Sequence, residues 1–204
     1  MIQIVFLVEE PSAEEALRRL LPKLLRGRAR WKLINLGSKN KLLKNLPDRL
    51  AGYRDRIARG EPLRIVVLVD RDADDCVSLK HRLEAMAREA GLATKTRPDG
   101  QGRFFVVNRI AVEELESWFV GDPAALRQAF RGLPAIDASK GIFRHPDNGG
   151  SWEALHRFLK KHGIYQSRYP KIEAARRIAP HLDLLGNRSR SFQVFMQGLE
   201  ALLA

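Results

Sequence analysis

The chain has 204 residues, 45% of them hydrophobic, and 36 Lys+Arg against 24 Asp+Glu give it a net charge of +12. That length supports one substantial core with or without an appendage, and that hydrophobic fraction excludes a disordered chain. The longest apolar runs are only a few residues, which excludes a membrane-spanning helix, while the positive excess points to polyanionic partners such as DNA, RNA or nucleotide phosphates, with a merely solvated basic surface as the plain alternative.

Residues 2–8 form an apolar run that reads as a strand and ends at Glu9 and Glu10. Ser12 suits the cap of a following helix, in which Ala16, Leu17, Leu20, Leu21, Leu24 and Leu25 recur at helical spacing until Gly27. Trp31 to Leu36 is a second, short strand. Ser38 to about Arg59 is an amphipathic helix with Pro47 as an expected kink or break. Residues 64–69 form a third strand, Cys76 to Ala90 a third helix, Thr94–Thr96 a possible strand start, and Phe104 to Val107 the next clear strand. Beyond Asn108 the alternation stops. Helices are expected over Val112–Phe119, Pro123–Phe130, Trp152–His162, Ile172–Leu185 and Ser191–Leu203, with a Gly-, Pro- and Asp-rich loop from Pro134 to Ser151. The expected fold class is α/β, with a mainly parallel four-stranded sheet flanked by helices and a C-terminal α-helical extension. The expected division is a core over residues 1–108 and a helical part packed on it over 109–204.

The run Ile65-Val66-Val67-Leu68-Val69 ends in Asp70-Arg71-Asp72, followed by Asp74 and Asp75. Unbroken β-branched sequence marks a strand buried on both faces, and the carboxyl ends of such strands open into the ligand crevice of a parallel sheet. Acids crowded there repel one another unless a cation or water compensates. A hard divalent ion held by oxygen ligands, Mg2+ or Mn2+, is the expected counter-charge. If Asp70-x-Asp72 is extended, both side chains face one way and converge on one ion. Glu9, from a neighbouring strand, completes the site or acts as a general base. The plainer reading is that Asp72, Asp74 and Asp75 only start a helix; it accounts for Asp74 and Asp75 but poorly for Asp70.

The order of elements, Phe6-Leu7-Val8-Glu9 after the first strand and Val67-Leu68-Val69-Asp70-Arg71-Asp72 after the third, resembles the TOPRIM module of topoisomerases, primases and overcoming-lysogenization-defect nucleases. Val8-Glu9-Glu10-Pro11-Ser12, Glu116-Ser117-Trp118-Phe119 with Asp122, Tyr169-Pro170-Lys171 and Arg188-Ser189-Arg190-Ser191-Phe192 are similar to segments of a small stand-alone TOPRIM-like family of unknown function. The resemblance implies a TOPRIM-like fold and metal-dependent phosphoryl transfer. Glu9, Asp70 and Asp72 would bind the first metal, with Glu9 also catalytic. Glu116, and less directly Glu113, would serve a second, and Lys171 would offset charge on the phosphate. Two positions depart from the pattern: Glu10 stands where the family has Gly, and Ala13 where an acid is usual, with Glu14 displaced by one. A second-metal ligand is then missing or comes from Glu10 or Glu14.

Other residues carry plainer readings. Trp118 and Phe119 suit the core. Glu113 and Glu116, three apart, share a helix face that is either solvated or part of the site. His145, His156, His162 and His181 lack zinc-ligand spacing. Gly37-Ser38-Lys39-Asn40-Lys41 either binds a phosphate or only caps a helix. Arg176, Arg177, Arg188 and Arg190 either line a backbone-binding surface or cover helices. The single Cys76 forms no internal disulfide and shows no nucleophile signature, and Met1 leads straight into strand-like sequence without a secretory signal. A reducing, cytoplasmic setting is expected. The functional expectation is a Mg2+-dependent nuclease acting on DNA or RNA, plausible in phage defence. The alternatives are a non-catalytic module that binds nucleic acid or a partner protein, and a phosphotransfer enzyme acting on a small molecule.

Overall fold

A computed structural model describes all 204 residues. Four strands, β1 (Ile2–Val8), β2 (Ala29–Asn35), β3 (Leu63–Asp70) and β4 (Val106–Ala111), form one sheet in the order β2-β1-β3-β4, and every pairing is parallel. Helices α1 (Pro11–Leu25), α2 (Lys39–Ala58) and α3 (Cys76–Glu89) make the crossovers. The expected α/β class is the observed one. After β4 follow α4 (Glu116–Val120), α5 (Pro123–Ala129), the one-turn α6 (Gly141–Arg144), α7 (Ser151–Lys161), α8 (Lys171–Ile178) with a 3-10 turn over Ala179–His181, and α9 (Arg190–Leu203).

The strands lack alternation because both faces are covered. Successive side chains point to opposite faces, so Phe6, Val8, Val66, Leu68 and Val107 enter one apolar cluster, while Val5, Leu7, Ile65, Val67, Val69 and Val106 enter another. The smaller cluster of 16 buried residues lies under α2 and α3 through Leu42, Leu46, Leu50, Leu79 and Leu83. The larger, of 35, takes in α1 and the C-terminal helices together, with Leu17, Trp118, Leu126, Leu155, Ile178, Phe192 and Phe195 in one continuous core. Residue 108 lies inside β4, and the part beyond it supplies most of the apolar cover for one whole face of the sheet. Trp118 and Phe119 are core residues: Trp118 packs edge-on against Phe192 at 5.1 Å, and its indole N–H donates to Ser191 Oγ at 3.1 Å.

Some boundaries differ from expectation for physical reasons. β4 starts two residues later than expected and runs on through the polar Asn108 and Arg109, because its register is set by pairing of Ile65–Asp70 with Val106–Ala111. Thr94 makes only isolated bridges. The helix expected over 112–119 is confined to Glu116–Val120, since the chain ahead of it is tied elsewhere: Glu113 O accepts from Asp72 N at 2.8 Å, and its carboxylate accepts from Gly150 N and pairs with Arg71. Glu113 therefore does not share a helix face with Glu116. α2 runs unbroken through Pro47. The helix after Lys171 gives way to the 3-10 turn at Pro180, well short of Leu185.

Because one core serves sheet and C-terminal helices alike, unfolding is expected to be a single transition. Phe195→Ala in α9, which removes a ring packed on Trp118, should cost about 3–5 kcal/mol. Urea titration followed by tryptophan fluorescence and by far-ultraviolet circular dichroism checks this; two separated transitions would contradict it.

Candidate functional site

β1 and β3 are immediate neighbours, with Val8 in register with Leu68, so the residues after their ends meet. Glu9 Oε1 accepts the backbone N–H of Asp70 at 2.5 Å, and both side chains are buried. Burial pushes the Glu9 carboxyl up to about 7 against the opposing pull of that N–H and of Lys39. Burial also pushes Asp70 well above the usual carboxylate range, helped by Glu10, Glu9 and Glu116, and only Lys171 acts against it.

The turn after β3 corrects one expectation. Asp72 adopts a left-handed conformation, φ 50°, which Asp tolerates better than most residues. Asp70-x-Asp72 is therefore not extended, and the two side chains do not align as on a strand. Asp72 lies in the exposed turn, and Lys39 Nζ reaches it at 2.6 Å, Asp74 at 2.9 Å and the carbonyl of Arg71 at 2.9 Å. Burial works against the Lys39 charge, yet these bonds outweigh it and hold its pKa above the ordinary range. Lys39 opens α2 from the Gly37–Lys41 segment, where Ser38 caps the helix by accepting from Lys41 N. Asp75 caps α3 by accepting from Ser78 N at 2.8 Å, as the plain reading of that acid expects.

The resulting cleft, about 510 Å³, is lined by Glu9, Glu10, Asp70, Asp72, Lys39 and Lys171, among others. Of the two acids expected as alternative second-metal ligands, Glu10 faces this cleft and accepts from Ser12 Oγ, whereas Glu14 turns away to Arg18 and Asn35. Glu116, at the start of α4, is fully buried with both carboxylate oxygens unpartnered, and burial pushes it up to about 8. Lys171, at the start of α8, lies 3.6 Å from Glu114 and 5.8 Å from the Trp152 ring centre. Glu114 Oε2 also accepts no hydrogen bond, and the buried Tyr169 hydroxyl, held well above its ordinary pKa by burial, lies close enough to interact with Glu116. Lys39, Glu114 and Tyr169 join the site beyond the residues expected there. Lys39 was visible only as part of a Gly/Ser/Lys segment, and Tyr169 only as part of a motif.

The acids are carboxylates, the oxygen chemistry that hard divalent cations take, and oxygens at Glu116 and Glu114 accept no hydrogen bond. The acids do not enclose a point, since no three His, Cys, Asp or Glu side chains converge as metal ligands and the Lys39 ammonium serves as cation for Asp72 and Asp74. The arginines expected on a backbone-binding surface are mostly engaged within the molecule. Arg176 pairs with Glu15, Arg177 lies 4.3 Å over Phe130, and Arg188 donates to the carbonyls of Ala138 and Phe143. No helix is long and apolar enough to cross a membrane.

A family model described as a domain of unknown function (DUF4276) matches residues 8–200, and the chain belongs to that family. No curated protein and no solved structure matches it.

Glu9 and Glu116 give the metal-free protein a defined pH dependence. Their folded values, about 7 and about 8, exceed the ordinary 4.5, so the folded state binds more protons than the unfolded one between those limits. Stability is then full at the acid end of that window and falls as pH rises through about 7–8. Groups held low, such as Glu84, are already ionised there and add no slope. Melting temperatures in EDTA should decline from about pH 5.5 to about pH 8.5, Glu116→Gln should flatten the upper part, and Mn2+ at about pH 8 should restore the loss. A flat profile, unaltered by Glu116→Gln, would contradict this.

Proposed function

We propose that this member of the family is a divalent-metal-dependent phosphodiester enzyme, a TOPRIM-type nuclease acting on DNA or RNA in a reducing, cytoplasmic setting. One observation carries the reading: the tips of two adjacent parallel strands bring Glu9 and Asp70 together, out of water, at the rim of a cleft whose other wall presents Lys39 and Lys171. Such an arrangement is costly for the apoprotein and useful only with a cation and an anionic substrate.

Asp70, Asp72 and Glu9 are the residues that would hold Mg2+ or Mn2+, with Glu116 and Glu114 the candidates for a second ion. The metal would polarise a phosphoryl oxygen and lower the pKa of a bound water. The chain's own groups supply the rest. Glu9, with a pKa near neutrality, is suited to accept a proton at working pH. Burial lowers the proton affinity of Lys171, but Glu116, Glu10, Glu114 and Asp70 outweigh it, so Lys171 stays charged and faces the cleft, where negative charge on phosphate would develop. The net charge of +12 favours a polyanion over a small neutral substrate.

The pairing of Lys39 with Asp72 and Asp74 favours a second reading, a non-catalytic nucleic-acid-binding module whose acids are internally neutralised. Single- and double-stranded DNA and RNA incubated with the protein in Mg2+, Mn2+ or EDTA separate the two. The enzyme reading expects metal-dependent cleavage that falls by at least about 100-fold in Asp70→Ala and in Lys171→Ala. Salt-sensitive binding without cleavage, indifferent to metal and to Asp70→Ala, would establish the binding module instead.

A further inference from the structure

Arg109 is an arginine in the middle of a buried strand, only 8% exposed, and it makes no ion pair. Its Nε donates to the carbonyl of Val194 at 2.9 Å and its Nη1 to the carbonyl of Asn108 at 2.7 Å. The only carboxylate acting on its charge is Glu84, which is itself engaged by Lys80 at 2.7 Å, by Asn108 Nδ2 at 2.9 Å and by Thr94. A buried cation satisfied only by carbonyls is costly, and burial lowers the proton affinity of both Arg109 and Lys80. The fold nevertheless keeps room for it. A Cβ at Gly198 of α9 would stand 2.5 Å from Arg109 Nη2 and 2.6 Å from Nε, so the guanidinium in this position lies directly against the glycine and a side chain there would displace it.

Arg109 borders a cavity of about 400 Å³ between α3, β4 and α9, separate from the acidic cleft. Lys80 and Arg190 add positive charge to its wall, and Ile110, Val112 and Val194 add apolar surface. The one carboxylate there, Asp147, is spent on α9: Ser189 Oγ, Ser191 Oγ and Arg190 N donate to it at 2.8, 2.9 and 2.6 Å. Asn108, a lining residue with its side chain buried, keeps its Oδ1 without a partner. The volume lies within the small-ligand range of roughly 300–1,000 Å³.

We infer that this cavity is a second ligand site, specific for a small phosphorylated nucleoside, with Arg109, Lys80 and Arg190 receiving the phosphate and the Ile110, Val112 and Val194 wall receiving the base. A bare anion would leave the apolar wall uncovered, and a neutral apolar ligand would leave the buried guanidinium uncompensated. A planar heterocycle carrying a phosphate satisfies both, since a guanidinium both pairs with phosphate and stacks on aromatic faces. The site does not depend on the nuclease reading of the acidic cleft.

Calorimetric titration of the full chain with AMP and with ATP, in EDTA so that the acidic cleft repels the phosphates, tests it. Adenosine and inorganic phosphate serve as separate controls. A nucleotide should bind saturably and at least about tenfold more tightly than either control. Arg190→Ala, on the exposed start of α9, and Arg109→Lys, which keeps the charge and loses the fork, should each weaken it by about tenfold or more. Asp70→Asn should leave it unchanged. Absence of saturable nucleotide binding, persistence of full affinity in both arginine variants with wild-type melting, or loss of binding in Asp70→Asn would overturn the assignment.

Discussion

Glu9 accepts the backbone N–H of Asp70 where the two central strands end, and both carboxyl groups lie out of water. Bringing two acids together in a dry place opposes folding, and the surrounding structure is organised around that opposition. The strands beneath are among the most apolar in the chain, so hydrophobic burial on both faces holds them adjacent regardless of what their tips carry. Cations approach from two directions. Lys39 comes from the start of α2 to Asp72 and Asp74, and Lys171 comes from the start of α8 toward Asp70, Glu114 and Glu116. Even so, Glu9, Asp70 and Glu116 remain pushed toward their protonated forms, which is the signature of an arrangement short of positive charge.

The helices after β4 build half of this arrangement. Trp118 packs against Phe192 and Phe195, and Asn187 Nδ2 donates to the Trp118 carbonyl at 2.8 Å, fixing α4 against α9. A Cβ on Gly121 would stand 2.7 Å from Ser189 N, so the chain leaving α4 also lies tight against the start of α9. Helix α8 packs on α1, which starts directly beyond Glu10, and so Lys171 is placed by the same apolar contacts that cover the sheet. Core and site are therefore coupled: the C-terminal helices complete the hydrophobic face and deliver Glu116 and Lys171 in one step.

The parts of this plan that were legible in the sequence are those set by repetition. Unbroken apolar runs announced two-face burial of β1 and β3, and the acids ending both runs announced where the cleft lies. Helical spacing located α1, α2, α3 and α9 to within a few residues. What the sequence concealed was set by single contacts between distant segments. Lys39 and Asp72 are far apart in the chain, and the positive φ at Asp72 that lets them meet leaves no trace in composition. Val112–Leu115 has the look of a helix start, but the bonds from Glu113 to Asp72, Arg71 and Gly150 hold it as a bridging arm. Arg109 is the sharpest case, because the sequence pattern gives out after Asn108, and only the packing of α9 over that residue makes it a buried charge.

The net positive charge is not spread as a simple halo around an acidic hole. Several arginines are engaged within the molecule, as with Arg176 on Glu15, Arg177 on Phe130, Arg188 on loop carbonyls and Arg109 on Val194. Strand β3 divides the functional surface. Its neighbour β1 brings a carboxylate to the edge, and its other neighbour β4 brings a guanidinium to the flank. Asp70 pairs with Ala111 in that sheet, two residues beyond Arg109, so buried charges of opposite sign lie within two residues of register of each other. Sheet hydrogen bonding fixes that register, yet the two side chains do not meet. The guanidinium is engaged by the carbonyls of Val194 and Asn108 instead, so neither group compensates the other.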